Sequence, residues 1–222
     1  MKVALVADVH GNLTALEAVI ADLERVQPDL VVHGGDLVFN GPQPSECVDS
    51  IRELGWPGVL GNTDEAVARR LDEPAVSWAA ERLGEERLAW LGRLPLGWRQ
   101  ADRIALVHAT PDDLYRIVWP EADDAELEAI YGPLGAAVAV YCHIHRGYVR
   151  QLGKLTVANT GSVGLPDDGD PRASYLLVEE GRCSHRRVGY DLERAVASLR
   201  ESGVPAVIDV AAQYMSGLRQ TG

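Results

Sequence analysis

The sequence predicts an α/β protein in which buried, mostly parallel strands alternate with amphipathic helices. Uninterrupted apolar runs of four or five residues recur along the chain, among them residues 3–7 and 104–107, and such runs are typical of strands buried on both faces of a parallel sheet. Residues 13–25 follow the first run and repeat their apolar positions every three or four residues, which indicates a crossover helix. Several runs also end directly in Asp, Asn or His, at the edge where open α/β sheets bind ligands.

Length and composition favour one globular domain over residues 1–222, with a helical insert at about 65–94. The chain is 46% hydrophobic and 24% charged, which is ordinary for such a domain. Its net charge of −12 argues against an extended nucleic-acid footprint, which needs clustered Lys and Arg. Any phosphate group bound by this chain must therefore be neutralised locally, and an oligomer is left open.

Targeting signals are not evident in the sequence. No apolar run approaches the length of about 18 residues that a membrane span needs, and Met1 leads into the first strand without a leader segment. Three scattered cysteines, Cys47, Cys142 and Cys183, form neither a disulfide framework nor a zinc motif. We therefore expect a cytoplasmic protein that does not contact a membrane.

The first predicted strand, residues 3–7, is followed at once by Asp8 and His10. Residues two apart in an extended chain point the same way, so the carboxylate and the imidazole are expected on one side, where they can chelate a metal ion. The next helix is predicted to begin with a capping box formed by Thr14 and Glu17.

Two further predicted strands lead to oxygen ligands. Residues 29–32 form the second strand, which leads to Asp36, and residues 59–60 form a short strand that leads to Asn62. A helix between them is predicted to carry the apolar residues Val48, Ile51 and Leu54.

A helical segment then separates these strands from the next one. Residues 65–94 are charged and helical in pattern, and Trp78 and Trp90 are predicted to pack between these helices and the core. The following strand ends in His108, and the acidic run within residues 111–133 is interpreted as a solvent-exposed helix face.

The strand at residues 136–141 ends in His143 and His145, which are again expected to point one way from an extended segment. Beyond it the sequence predicts four short strands in antiparallel style, residues 148–152, 155–158, 173–178 and 183–188. Asp191 is predicted to cap a helix, and a last helical stretch is predicted to run to the C-terminus.

Metal-capable side chains thus follow five predicted strands: Asp8, His10, Asp36, Asn62, His108, His143 and His145. If these strands share one sheet, their ends converge. Mixed imidazole and oxygen donors suit Mn, Fe, Co, Ni or Zn, and the set is larger than one tetrahedral ion needs. The sequence therefore predicts two divalent ions bridged by a carboxylate such as Asp36. Mn is the first choice, with Fe, Ni, Co, Zn and Mg as alternatives.

The two remaining histidines are left out of this set. His33 lies an odd number of residues from Asp36, so it is predicted to point to the other face and to pack in the core or behind the ligands. His185 is predicted to be exposed.

In order along the chain, five blocks resemble the signature of the calcineurin-like metallophosphoesterase family: Asp8-Val9-His10, Gly35-Asp36-Leu37-Val38, Gly61-Asn62-Thr63-Asp64, His108, and Cys142-His143-Ile144-His145. Further on, residues 159–164 and 169–175 are similar to a bacterial branch of small phosphodiesterases. The resemblance implies a four-layer α/β/β/α sandwich. It also implies one metal on Asp8, His10, Asp36 and His145, and another on Asp36, Asn62, His108 and His143.

Three positions depart from the family pattern. Cys142 and Ala109 stand where Gly is usual; both are small enough to be tolerated, and Cys142 is also a candidate soft ligand or oxidation site. Thr63 stands where many relatives carry a histidine that protonates the leaving oxygen. Because threonine is no general acid at neutral pH, activated leaving groups are expected to be favoured.

The resulting prediction is a metal-dependent phosphodiesterase for a small-molecule or nucleotide substrate, in which a hydroxide held between the ions attacks the phosphorus. Asp36, Asn62 and His108 are the predicted catalytic residues, because they hold the ions and orient the phosphoryl oxygens. Arg146 and Arg172 are candidate substrate cations. The alternative for Arg146, which directly follows His145, is that it points away from the site, and the alternative for Arg172 is that it binds a carboxylate within its turn. The alternatives are a phosphomonoesterase or Ser/Thr protein phosphatase, and a non-catalytic scaffold with the same fold.

Overall fold

Strands and helices alternate along the first part of the chain, as the apolar runs predict. The structure, a computed structural model, describes residues 1–205 and 207–219. Its strands are β1 (Lys2–Val6), β2 (Leu30–His33), β3 (Gly97–Gln100), β4 (Ile104–Val107), β5 (Val138–Tyr141), β6 (Tyr148–Leu152), β7 (Leu155–Asn159), β8 (Ala173–Glu179) and β9 (Arg182–Val188). Its helices are α1 (Leu13–Val26), α2 (Pro44–Glu53), α3 (Asn62–Ala68), α4 (Pro74–Leu91), α5 (Asp124–Tyr131), α6 (Leu192–Ser202) and α7 (Val207–Ser216).

The strands of the described residues form two sheets. The first sheet has the order β2-β1-β8-β9, and the second has the order β3-β4-β5-β7-β6. β1 pairs in parallel with β2, and β5 pairs in parallel with both β4 and β7. The other pairs are antiparallel, including the pairs β6 with β7 and β8 with β9 that the sequence predicts.

Alternate residues of β1 face two different cores. Val3 and Leu5 lie between the sheets, in contact with the second sheet through residues such as Val140. Ala4 and Val6 instead face the core that α1, α2 and α4 cover. The outer face of the second sheet packs against α5 through a third core. This two-residue period produces four layers, which confirms the predicted α/β/β/α sandwich.

Two strand predictions need correction. Residues 59–60 are not a strand, since a single parallel bridge between His33 and Gly58 is all that joins this segment to β2 in the described part of the chain. The sequence also fails to predict β3, an edge strand whose side chains alternate between exposed and half-buried. Because β3 is only four residues long and has no apolar run, its sequence pattern is too short to be recognised as a strand.

The start of α1 also differs from the prediction. Its N-cap is Asn12, whose Oδ1 accepts a hydrogen bond from the backbone N–H of Ala15 at 3.1 Å. The predicted capping box of Thr14 and Glu17 is therefore wrong, because the helix begins before it. An asparagine at the N-cap satisfies a helix N–H as well as threonine does.

Most of the predicted helices are confirmed. α3 and α4 occupy the segment interpreted as a helical insert, and the tryptophans Trp78 and Trp90 pack against the core under α4. α5 is shorter than the acidic segment predicted to contain it, and it presents its acidic side chains to solvent. Asp191 caps α6. α7 ends at Ser216, and residues 220–222 lie outside the described residues.

Some predictions about the whole chain remain untested by the fold. That residues 1–222 form one domain, with 65–94 as an insert, stays a prediction. No helix in residues 1–205 or 207–219 is both long enough and apolar enough to cross a bilayer. All three cysteines are free thiols.

The two histidines outside the predicted metal set behave differently. His33 is fully buried, as predicted, and both ring nitrogens lack a hydrogen-bond partner within the described residues. His185 is half-buried rather than exposed, because its Nε2 bonds to the carbonyl oxygen of Asn159 at 2.7 Å. The prediction for His185 is therefore wrong: β9 turns this side chain toward the rim of the second sheet.

Replacing His33 by phenylalanine is expected to reduce the acid sensitivity of the fold. Burial lowers the pKa of His33 to about 3, whereas an unfolded histidine titrates near about 6.5. Between these values the unfolded state binds a proton that the folded state does not, so stability falls as the pH falls. The metal-free wild-type protein should therefore lose about 2 kcal/mol more unfolding free energy between pH 7.5 and 5 than His33→Phe does.

Urea unfolding of both metal-free proteins at the two pH values measures this difference. The other histidines are common to both proteins, so their contributions cancel. Overpacking by the phenylalanine would lower stability equally at both pH values and leaves the comparison intact. Equal losses in the two proteins would contradict the prediction.

Candidate metal centre

All seven predicted ligands lie at one end of the sandwich. The first sheet places three of them directly after β1 and β2: Asp8, His10 and Asp36. The second sheet places three after β4 and β5: His108, His143 and His145. The seventh, Asn62, is the first residue of α3. The strand ends therefore converge between two sheets, as the α/β/β/α sandwich implies, and not within one sheet.

The ligand loops are not extended, which corrects an expectation from the sequence. Five of the ligands have left-handed backbone, with φ of 55° at Asp8, 50° at His10, 52° at Asp36, 70° at His143 and 59° at His145. A non-glycine residue in this region costs roughly 1–3 kcal/mol and persists where the surrounding structure enforces it, most often at functional sites. The side chains converge because the backbone turns at each ligand, and not because alternate residues share a face.

Backbone hydrogen bonds between the first two ligand loops hold these turns. The N–H of Asp8 donates to the carbonyl oxygen of Gly35 at 3.0 Å, and the N–H of His10 donates to that of Asp36 at 2.9 Å. The Ser162 hydroxyl donates to the carbonyl oxygen of Asp8 at 2.8 Å. The segment that follows β7 thus supports the ligand loop after β1.

The first cluster consists of Asp8, His10, Asp36 and His145, all buried, with one potential ligand atom of each within 4.8 Å of the others. Nε2 of His10 lies 3.1 Å from Nε2 of His145 and 3.6 Å from Oδ2 of Asp36. Oδ1 of Asp8 lies 3.8 Å from Nε2 of His145. The four side chains therefore surround one point.

The second cluster consists of Asp36, Asn62, His108 and His143. Nε2 of His108 lies 2.9 Å from Oδ1 of Asn62 and 3.4 Å from Oδ1 of Asp36, and the rings of His108 and His143 are 5.2 Å apart. Asp36 belongs to both clusters, with Oδ2 toward His10 and Oδ1 toward His108. Its carboxylate is thus placed to bridge.

The donor set fits cations. Nδ1 of His108 donates to the carbonyl oxygen of Gly34 at 2.8 Å, and Nδ1 of His145 donates to that of Leu165 at 2.5 Å. With the proton on Nδ1, each ring turns an Nε2 lone pair inward, where it meets other acceptors. Oδ1 of Asp8 is also buried without a hydrogen-bond partner in the described part of the chain. Lone pairs that face one another in this way are satisfied by a positive ion.

Electrostatics support the same interpretation. Burial raises the pKa of Asp8 well above its usual value, and the negative charge of Asp36 raises it further. Burial lowers the pKa values of His10 and His145, and it lowers that of His143 to about 4. These imidazoles are therefore neutral at pH 7, which is the form that binds metals.

Asp64 has a positioning role that sequence reasoning did not assign, although it stands in a signature block. Its carboxylate accepts backbone N–H bonds from Leu37 at 2.9 Å, Val38 at 3.3 Å and Gly61 at 3.2 Å. It therefore fastens the loop that carries Asp36 to the start of α3, which carries Asn62. Burial and the charge of Asp36 raise the pKa of Asp64 to about 7.

Cys142 is not part of either cluster. It is fully buried in the core between the sheets, and a Cβ on Gly34 would lie 2.3 Å from its Sγ. Burial raises the pKa of the thiol well above its usual value. The expectation of a soft ligand is therefore wrong, and Cys142 packs against the loop that precedes Asp36.

A cavity of about 370 Å³ opens over both clusters. Thr63 lines it, with its N–H donating to Oδ1 of Asp36 at 2.9 Å and its hydroxyl to the carbonyl oxygen of Val38 at 3.2 Å. An apolar wall is formed by Phe39, Ile117 and Trp119, and a C-terminal wall is formed by Asp209, Val210, Gln213 and Arg219. Neither wall could be recognised from the sequence, because no motif or periodicity links these segments to the ligands.

The arginines proposed from the sequence are bound by carboxylates. Arg146 donates to the carbonyl oxygen of Asp167 at 2.8 Å and pairs with its carboxylate at 3.4 Å, while its guanidinium lies 4.8 Å from the ring of Trp119. Arg172 pairs with Asp170 at 2.6 Å and does not line the cavity. The cavity-lining cation that sequence reasoning missed is Arg219.

Known proteins resemble this chain over most of its length. Residues 1–182 match the calcineurin-like phosphoesterase superfamily domain. A solved metallophosphoesterase from Sphaerobacter thermophilus has a TM-score of 0.83 at 30% identity and covers 98% of this chain and 100% of its own. An uncharacterized protein of Methanocaldococcus jannaschii is 28% identical, over 91% of this chain and 93% of its own. The phosphodiesterase YfcE of Escherichia coli is 25% identical, over 81% of this chain and 88% of its own.

Proposed function

The chain belongs to the calcineurin-like phosphoesterase superfamily, as its signature blocks predict, and from this premise we propose that it is a phosphodiesterase that uses two divalent metal ions. The observation that carries the proposal is the position of Asp36, whose two carboxylate oxygens face different clusters of ligands. A shared carboxylate of this kind is expected where two ions are held side by side.

We assign the first cluster to one ion and the second cluster to the other. Mn is the first choice, because mixed imidazole and oxygen donors suit it, with Fe, Ni, Co, Zn and Mg as alternatives. Ions bound here would supply positive charge to the phosphoryl oxygens and a hydroxide nucleophile at neutral pH.

The chain's own residues orient the reaction. Asp36, Asn62 and His108 are the proposed catalytic residues, because they would hold the ions that contact the phosphoryl group. Asn62 and His143 are only half-buried, whereas the other five ligands are buried. A substrate therefore approaches from the side of the second cluster, which also faces the open cavity.

The ester preference is supported by two observations. The relative YfcE is named a phosphodiesterase, and the apolar wall suits the second ester group of a diester. The cavity of about 370 Å³ is at the small end of ligand sites, which typically enclose about 300–1,000 Å³, so a small substrate is favoured over a polymer. Cytoplasmic location, the lack of membrane or extended nucleic-acid contacts, and an oligomeric state stay predictions.

The leaving group receives little protonation from this chain. Thr63 occupies the position of the histidine found in many relatives, and its hydroxyl is engaged with Val38. Because a positioned general acid typically contributes about 10²–10⁴-fold, a nitrophenyl diester should be hydrolysed at least about 10²-fold faster than an alkyl diester.

A substrate screen with Mn-loaded protein tests the proposal. We expect turnover of bis(p-nitrophenyl) phosphate, slower turnover of p-nitrophenyl phosphate, and loss of both after treatment with EDTA. Two bound ions per chain should be found by elemental analysis. A protein that binds fewer than two ions and turns over no ester with Mn, Ni, Zn or Mg would instead support the scaffold alternative, and a monoester preference would support the phosphatase alternative.

A further inference from the structure

The C-terminal wall of the cavity is built from residues beyond those that define the family. The family match ends at residue 182, whereas Asp209, Gln213 and Arg219 line the cavity beside His143 and His145. The residues that distinguish this chain from a minimal superfamily domain thus reach the candidate metal centre.

This segment is fastened to the loop that supports His145. The side-chain amide of Gln213 donates to the carbonyl oxygens of Leu165 and Pro166, each at 3.1 Å. The same Leu165 oxygen accepts the Nδ1–H bond of His145. Because α7 and a ligand share one acceptor, the distance between the C-terminal wall and the first cluster is fixed by direct contacts.

Arg219 itself is held by its backbone. Its N–H donates to Oδ1 of Asp167 at 2.8 Å, and the N–H of Asp167 donates to the carbonyl oxygen of His145 at 3.2 Å. Two residues before Arg219, the carbonyl oxygen of Gly217 accepts from the N–H of Gly169 at 2.9 Å. These contacts fix the backbone of Arg219, and its side chain lines the cavity.

The guanidinium of Arg219 has no carboxylate partner in the part of the chain that the structure describes. Nearby arginines pair with carboxylates, as Arg146 does with Asp167 and Arg187 does with Asp168. Within residues 1–205 and 207–219, the Arg219 guanidinium forms no ion pair, although Asp209 lies on the same wall. A guanidinium that lacks a partner among the described residues and lies beside the candidate metal ligands is placed to bind a substrate anion.

The positive charge of Arg219 also affects the pKa values of residues in both clusters. Burial is the largest cause that lowers the pKa of His145, and the positive charge of Arg219 lowers it further. The same charge acts on Asp8, His10 and His143, where burial is again the dominant cause. Because Arg219 lines the same cavity as His143 and His145, its guanidinium contributes to the positive potential that an anionic group would meet there.

The apolar wall faces the remaining part of a substrate. Ile117 and Trp119 keep 51% and 41% of their surface exposed, and the Trp119 ring is held by Arg146. The segment that carries them is tied to α3, because the Tyr115 hydroxyl donates to Glu65 at 2.7 Å. An organic group with an apolar or aromatic face would cover this exposed surface.

We propose that Arg219 binds the phosphoryl anion of the substrate, and that the substrate is a compact phosphodiester whose apolar or aromatic ester group packs against Ile117 and Trp119. This inference rests on the proposed phosphodiesterase function and specifies its substrate class. It makes Arg219 a residue for binding and specificity that lies outside the family signature.

Substitution of Arg219 tests the anion site. In Mn-loaded protein, Arg219→Gln should raise the KM for bis(p-nitrophenyl) phosphate about tenfold or more, since a charge-assisted hydrogen bond is lost, while kcat stays within about threefold. Arg219→Lys should recover part of the loss. Arg200→Gln makes the same charge change on the exposed face of α6 and should leave KM unchanged. Metal content should equal that of the wild type in all variants.

A binding measurement keeps this test separate from the proposed function. Calorimetric titration of inorganic phosphate into Mn-loaded protein should show Arg219→Gln binding about tenfold more weakly than the wild type, whether or not the wild type hydrolyses a diester. Failure of wild-type turnover would therefore reject the function alone. Unchanged phosphate affinity and KM in Arg219→Gln, or loss of bound Mn in that variant, would overturn the anion site.

Trp119→Ala tests the second half of the inference. The variant should raise the KM for bis(p-nitrophenyl) phosphate several-fold and leave the affinity for inorganic phosphate unchanged, because phosphate has no group that reaches the apolar wall. Equal effects on both ligands, or an effect on neither, would overturn the assignment of the ester group to this wall.

Discussion

Asp36→Asn is expected to abolish hydrolysis, with kcat/KM reduced about 10³-fold or more, equivalent to about 4 kcal/mol in the barrier. The substitution keeps the shape of the side chain and removes its negative charge. It also replaces one carboxylate oxygen by an amide NH₂, which would face Nε2 of either His10 or His108 and donate to it. In one of the two clusters, the histidine lone pair would then accept a hydrogen bond from the introduced amide. That lone pair would no longer be available to a metal ion.

Elemental analysis and steady-state kinetics of the same preparation check this result. Fewer than two ions should be bound by Asp36→Asn, while Asp72→Asn, which makes the same change at an exposed position of the α3–α4 connection, should bind two ions and keep full activity. Retention of two ions and wild-type kcat/KM would contradict the role assigned to Asp36.

The stability of metal-free Asp36→Asn separates loss of ions from misfolding. In the metal-free wild type, buried Asp8 and Asp36 lie close enough for the charge of Asp36 to raise the pKa of Asp8, in addition to the effect of burial. Removing the charge at position 36 relieves this repulsion, and an Asn Oδ1 can still accept the Thr63 N–H. Denaturant unfolding without metal should therefore show a single cooperative transition for the variant, as for the wild type.

Strand ends and helices in this chain are predictable from sequence because burial determines them. Val3 to Ala7 is apolar without interruption since β1 has a core on each face, and an apolar run of this kind is visible without any tertiary information. The signature blocks, taken in their order along the chain, indicate which residues are the candidate metal ligands. Together these features are sufficient to place the candidate centre at the carboxyl ends of the strands.

The geometry of the centre is not predictable in the same way. A strand-end Asp or His carries no local signal for left-handed backbone, which at Asp8 and His145 is imposed by hydrogen bonds to loops far away in the chain. Whether strand ends belong to one sheet or to two depends on pairings such as β1 with β8. Arg219 reaches the cavity only because Gly217 and Gln213 dock on the loop after β7.

Gly61→Ala is expected to damage the centre without removing any ligand. Gly61 has ordinary extended backbone, with φ −95° and ψ 164°, so alanine suits its conformation. The obstacle is space, because a Cβ at this position would lie 2.1 Å from Oδ1 and 2.2 Å from the backbone nitrogen of Asp36. Neither atom can yield easily, since Asp36 is held in left-handed backbone and its Oδ1 accepts the N–H of Thr63.

The added methyl group should therefore displace the shared carboxylate by about 1 Å, a misplacement that can cost about 10²-fold in rate, and overpacking should lower the unfolding free energy by about 1–3 kcal/mol. Gly189→Ala is the matched control, because a Cβ there meets no atom within 4 Å, and its stability should stay within about 0.5 kcal/mol of the wild type. Steady-state kinetics, metal analysis and denaturant unfolding of the two variants test this prediction. If Gly61→Ala keeps two ions and wild-type activity, Asp36 has more freedom than its contacts indicate, and its fixed position between the clusters cannot be what holds the ions.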